Sequence, residues 1–140
     1  MKLKNLDLPQ LQALAAKLAR QYRHTGAVIG LVGPLGAGKT TFVQSFCQTL
    51  GVRRVKSPSF IIAHRYRQGR LTIHHFDLYR LHSAAQLEVL GLTEILETGG
   101  LVLIEWVDKF PRLAKRCNLI IRLQINPRGG RDVTIQTHKN

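Results

Sequence analysis

The stretch AVIGLVGPLGAGKTTF, Ala27 to Phe42, joins an unbroken apolar run to a glycine-rich turn and then to a helix-forming segment. An apolar run without polar alternation is the pattern of a strand buried on both faces, as in a parallel sheet. The turn that follows fits G-x-x-x-x-G-K-[ST] through Gly33, Gly38, Lys39 and Thr40, the phosphate-gripping P-loop. Glycines let backbone N–H groups converge on phosphate oxygens, and the N-terminus of the next helix adds partial positive charge. The nucleotide contacts expected of such a loop are Gly33, Gly36, Ala37, Gly38, Lys39, Thr40 and Thr41. Lys39 reaches the β- and γ-phosphates and the Thr40 hydroxyl sits on Mg²⁺. Kinases, GTPase switches, motors and regulatory ATPases all use this loop, so the rest of the chain decides among them.

Outward from the loop, KTTFVQSFCQTL reads as a helix stopped by Gly51. On the N-terminal side, Leu11, Leu14, Ala15, Leu18, Ala19 and Tyr22 recur at helical spacing behind Asp7 and Gln10, a capping box, which predicts a helix from about Leu8 to Tyr22. FIIAHRY and LTIHHFDLY flank the polar turn RQGR, so Phe60 to Tyr66 and Leu71 to Asp77 pair as an antiparallel hairpin. AAQLEVL and LTEIL read as two short helices separated by Gly91, and GGLVLIEW as a second buried strand ending on an acid. NLIIRLQI and RDVTIQTH around NPRGG make a second hairpin. Residues 1–140 thus read as a single P-loop NTPase-like α/β domain, its mixed sheet having parallel core strands and flanking antiparallel hairpins.

A P-loop needs a further acid near the metal, normally at the end of a neighbouring strand. Glu105 closes LVLIE and falls where ligands of open α/β sheets bind; the plain alternative is a solvated strand-end carboxylate. Trp106 follows, either covering the nucleotide or a partner surface or simply packing. Asp77 closes the other candidate strand between apolar Phe76 and Leu78, so its carboxylate faces away from them and suits positioning a water or a metal-bound water. Arg80 either neutralises Asp77 or stabilises phosphate charge. His74 and His75 are adjacent on a strand and point to opposite faces, against a shared metal site. Ser57 and Ser59 flank Pro58 where a switch segment is expected, and offer hydroxyls to Mg²⁺ or phosphate or form an ordinary loop.

The 140-residue chain is small for a P-loop enzyme with its own substrate lid, which points to a partner that supplies what is missing. No run of 18 apolar residues occurs and MKLKNLDLPQ lacks the features of a signal peptide, so the expected location is cytoplasmic, with no membrane association. Cys47 and Cys117 lie far apart with no C-x-x-C, the pattern of buried reduced thiols. Lys and Arg number 21 against 8 Asp and Glu, a net charge of +13 that draws in nucleic acid or an acidic protein surface, or else is a solvated surface.

Four motifs stand in one order: GPLGAGKTTF, VKSPSF, HHFDLYRL and LIEW. Together they resemble the bacterial TsaE (YjeE) family, the small ATPase of the machinery that makes the threonylcarbamoyladenosine modification of tRNA. The resemblance runs from the first helix through Trp106 and fades over the C-terminal hairpin. Two positions depart from the family pattern: Pro34 stands where an acid usually follows the first loop glycine, and Ser59 stands for threonine. The resemblance implies ATP and Mg²⁺ as cofactors and a TsaB–TsaD heterodimer as partner, with ATP hydrolysis resetting that complex between cycles. It implies that Thr40 and Glu105 hold the metal, that Lys39 holds the phosphates, that Asp77 is needed for hydrolysis and that Trp106 lies near the nucleotide. Without it, a small kinase for a nucleoside or metabolite and a nucleotide-switched RNA-binding module also fit the loop and the charge.

Overall fold

Ala27–Val32 is buried at every residue and forms the central strand, β2, flanked on both sides by parallel neighbours: β5 (Leu101–Glu105) and β6 (Leu119–Ile125). The computed structural model describes residues 1–53, 55 and 63–138. Strand β4 (Leu71–Asp77) extends the parallel core beside β5, and β3 (Ala63–Gln68) pairs with it antiparallel. At the other edge β7 (Arg131–Thr137) returns antiparallel to β6, and β1 (Lys2–Leu6) pairs with β7. The sheet order is β1-β7-β6-β2-β5-β4-β3, a parallel core with antiparallel flanks, as the apolar patterning predicts.

The expected elements recur with shifted ends. Helix α1 (Leu8–Tyr22) starts at the Asp7–Gln10 capping box, with Gln10 N–H donating to Asp7 Oδ1 at 2.8 Å and Asp7 N–H to Gln10 Oε1 at 2.9 Å. Helix α2 (Lys39–Thr49) stops before Gly51, whose φ of +96° lies in the left-handed region. The short helices α3 (Ala84–Val89) and α4 (Leu92–Leu96) flank Gly91 as expected. Two further short turns of helix, a 3₁₀ turn at Val107–Lys109 and α5 (Pro111–Ala114), lead into β6 and carry no periodic signal of their own. Strand β1 also escapes the sequence pattern. It is short, lysine-rich and irregular in register between Leu3 and Leu6, as edge strands are. The Phe60–Ile62 part of the first hairpin and the Ser57 and Ser59 segment lie outside the described residues.

Strand alternation divides the core in two. Helices α1 and α2 cover one face through Leu11, Ala15, Phe42 and Phe46 against Ile29, Leu31, Leu101 and Leu103. The short helices and the loop before α3 cover the other, through Leu92, Leu113 and the loop residue Leu81, against Val28, Phe76, Val102 and Ile104. Cys47 and Cys117 are free and buried, one in each core, and burial pushes both thiols up to about 12. Among the described residues no helix is long and apolar enough to cross a membrane.

The α1–β2 connection depends on a backbone approach that only glycine permits. At Gly26, φ is +71° and an added Cβ would stand 2.0 Å from the Gly99 carbonyl oxygen. Gly26→Ala is expected to cost at least about 2 kcal/mol, from left-handed strain plus the clash. An unchanged midpoint in chemical denaturation would refute the close approach.

Candidate functional site

The parallel register sets Leu31 beside Glu105 and Glu105 beside Asp77, so the ends of β2, β5 and β4 lie in a row where the chain turns into the P-loop. Glycine geometry shapes the loop itself. Gly36 and Gly38 take φ of +78° and +107°, and the Ala37 N–H closes a turn on the Pro34 carbonyl at 3.1 Å. Pro34 removes an N–H from the loop but keeps this acceptor. Arg131, from β7, braces the loop: its Nη2 donates to Gly36 O and its Nε to Ala37 O, both at 3.0 Å.

A cavity of about 640 Å³ opens above this edge. Of the residues singled out in the sequence, Gly36, Gly38, Lys39, Thr40, Thr41, Asp77, Glu105 and Trp106 line it, as does Arg80. Gly33 and Ala37 stand behind the lining as structural members of the loop, with Ala37 fully buried. Leu6, Leu8, Leu11 and Leu35 give the cavity an apolar wall, so it offers a polar end and a greasy one.

Lys39 is 5% exposed, and its Nζ donates to the carbonyls of Gly33 and of Pro34, the latter at 2.9 Å, while lying 4.1 Å from the centroid of the Trp106 ring. Burial pulls the Lys39 ammonium below its ordinary value, opposed by the nearby charges of Glu105, Asp77 and Asp108. Trp106 has a left-handed backbone, φ +62°, its N–H donates to Leu31 O at 3.0 Å, and its ring meets Tyr79 at 5.0 Å. Packing and cavity lining are therefore both roles of this tryptophan.

Glu105 is 2% exposed and divides its oxygens: Oε1 accepts from the Thr40 hydroxyl at 3.3 Å, and Oε2 faces His75 Nε2 at 2.6 Å. Since a carboxylate only accepts, Nε2 carries the proton. The His75 ring lies 6.3 Å from that of His64, and His75 Nδ1 has no hydrogen-bond partner among the described residues. Asp77 Oδ1 accepts from the Tyr79 N–H at 3.0 Å. Burial, foremost, raises Asp77 above the usual carboxylate range and Glu105 adds to the rise; the Tyr79 N–H, His75 and Lys39 oppose it.

Thr40 and Glu105 suit a hard cation. Adjacent oxygens on octahedral Mg²⁺ at 2.0–2.1 Å stand about 3 Å apart, close to the 3.3 Å between Thr40 Oγ1 and Glu105 Oε1. Sequence reading missed two residues here. His75 lies two positions before Asp77 in β4, so strand alternation alone places the two on one face. Arg131 touches residues 94 and 95 positions away, and no local pattern signals it.

Strand, loop, buried lysine and facing acid define a P-loop fold. A sequence model described as Threonylcarbamoyl adenosine biosynthesis protein TsaE matches residues 6–133, reaching into β7 and beyond the stretch covered by the four motifs. The chain is 41% identical over 99 residues to the tRNA threonylcarbamoyladenosine biosynthesis protein TsaE of Bacillus subtilis, covering 70% of this chain and 61% of that protein, less than two thirds of its length. It is 34% identical over 111 residues to the protein of the same name from Treponema pallidum, covering 79% of this chain and 82% of that one. The crystal structure of Bacillus subtilis YdiB matches with a TM-score of 0.80 at 30% identity, over 100% of this chain and 86% of the other. The chain belongs to the TsaE family.

Two outcomes follow from the buried charges. A carboxyl whose folded pKa is raised binds its proton more tightly in the native state, so it favours folding less as pH rises from its unfolded value through its folded one. Asp77→Asn keeps the oxygen that accepts from Tyr79 and removes the charge. The variant is expected to melt higher than the parent at pH 7, with the gap closing as pH falls below about 4, where the unfolded carboxyl is protonated as well; a lower melting temperature at pH 7 would contradict the geometry. His75→Ala leaves Glu105 Oε2 buried without its donor and is expected to cost about 1–3 kcal/mol in urea denaturation. In a double-mutant cycle the added loss on going to Glu105→Gln should be smaller in the His75→Ala background than in the parent.

Proposed function

We propose that this chain binds ATP with Mg²⁺ at its P-loop and hydrolyses it in support of threonylcarbamoyladenosine formation in tRNA, with a TsaB–TsaD heterodimer as the partner that completes the site. The observation that carries this reading is the convergence of Lys39, Thr40, Asp77 and Glu105 on one cavity beside a glycine-shaped loop. Family membership supports the pathway. The apolar wall of Leu6, Leu8, Leu11 and Leu35 suits the flat face of a base, and the loop end suits the phosphates.

Thr40 and Glu105 would hold Mg²⁺, which would supply positive charge against the negative charge of the phosphates. His75 fixes the Glu105 carboxylate so that Oε1 stays on the Thr40 side. Lys39 exchanges its loop carbonyls for phosphate oxygens, a charge-assisted contact in a water-poor setting. The Asp77 carboxylate, anchored at Oδ1 by Tyr79, offers its other oxygen to orient a water and accept its proton. On this reading the partner fixes the attacking water, so turnover of the isolated protein is slow and rises on adding TsaB–TsaD.

The division of labour between the two acids gives the sharpest test. Lys39→Ala and Glu105→Ala are expected to weaken ATP binding in Mg²⁺, Lys39→Ala by about 1.5–3 kcal/mol, with the Glu105 effect vanishing in EDTA. Asp77→Ala is expected to keep ATP affinity within about a few-fold of the parent while lowering partner-stimulated turnover by about 10² to 10⁴. Calorimetry beside a phosphate-release assay reads both. Loss of Mg²⁺-dependent affinity in Asp77→Ala with rate loss alone in Glu105→Ala would exchange the roles, and equal rates with and without the heterodimer would refute the partner's contribution.

A further inference from the structure

At the opposite end of the parallel strands a second cavity, of about 450 Å³, lies between the end of α1, the β3–β4 turn and the start of β5. Arg23, His24, Arg65, Arg70 and His74 converge on it, and no carboxylate is among its described lining residues. Arg23, His24, Arg65 and Arg70 are exposed, and His74 is half-buried. Arg65 and His74 stand directly opposite each other in the β3–β4 ladder. Like charges in that position destabilise a sheet. Consistently, burial and then the charge of Arg65 hold His74 below its ordinary value. Gly26, Gly99 and Gly100 complete the lining.

A concave cluster of cations without an internal counter-ion is complementary to a polyanion. Guanidinium groups match phosphate with two parallel N–H donors, and each neutralised phosphate releases condensed counterions. We propose that this cavity binds the phosphate backbone of RNA, as a site separate from the P-loop. The anion chemistry stands on the cavity alone; the choice of RNA as the polyanion rests on the tRNA-modification reading above.

The test is fluorescence anisotropy of the full chain with a labelled, unmodified tRNA transcript at about 50 and 200 mM salt. Arg65→Ala/Arg70→Ala is expected to weaken binding by about tenfold or more and to reduce the salt slope by about 1.4 to 1.8, the value for two lost phosphate contacts. Arg112→Ala/Lys115→Ala removes the same charge from the exposed surface around α5 and is expected to change affinity less than about twofold. Should the first pair fail to fold, Arg23→Ala/Arg70→Ala asks the same question. Calorimetry of ATP binding in each variant checks the P-loop independently, so failure of the nucleotide reading and failure of this one are told apart. The proposal is overturned if both charge-matched pairs lose affinity equally, if neither does, if saturating ATP displaces the RNA, or if polyglutamate of matched charge competes as well as RNA.

Discussion

The Glu105 carboxylate is almost wholly removed from water at the end of β5, and a charge in that position persists only when each oxygen is paired. Both partners come from other elements: the Thr40 hydroxyl from the first turn of α2 and the His75 ring from β4. That requirement ties the loop to the sheet. If β5 slipped by one residue against β2 or β4, every inward side chain would change face, and Glu105 would leave the loop for the apolar layer formed by Val102 and Ile104. The register that builds the core and the register that builds the site are one register.

Where the chemistry resides in one strand, one loop or one helix, the sequence carries it openly. The β2–loop–α2 unit, the capping box at Asp7 and the acids closing β4 and β5 all follow from local pattern, because apolar periodicity and glycine spacing are local properties. Contacts between distant segments are not local. Arg131 clasps the P-loop from the far hairpin, and Leu6, at the end of an edge strand too short and too charged to alternate cleanly, joins the apolar wall. His75 lies between the two cases. Its face follows from period-two geometry, but its pairing with Glu105 needs the parallel β4–β5 register, which a sequence does not state.

Charge is distributed with the same economy. The chain has 8 carboxylate side chains, and Asp77, Glu105 and Asp108 gather near the buried Lys39, where their field opposes, without overcoming, the desolvation of its ammonium. The P-loop cavity mixes Lys39, Arg80 and Arg131 with Asp7, Asp77 and Glu105, whereas the cavity at the opposite end has arginines and no carboxylate among its described lining residues, so the two ends of the parallel strands present fields of different character.

Trp106 connects these parts mechanically. A left-handed backbone at a non-glycine residue costs about 1–3 kcal/mol and persists only where its surroundings over-determine it. Here its N–H is bonded to the end of β2, its ring lies under the Lys39 ammonium, and the same ring meets Tyr79, which follows Asp77 by two residues and clamps that carboxylate through its own N–H. Lys109, just beyond the same turn, donates to the carbonyls of Leu78 and Tyr79 at 3.2 and 2.6 Å and fixes that segment from the other side. The loop lysine, the end of β4 and the end of β5 thus meet at one strained residue and its ring, so the contacts that hold Trp106 in its left-handed conformation are the same ones that set these three places side by side.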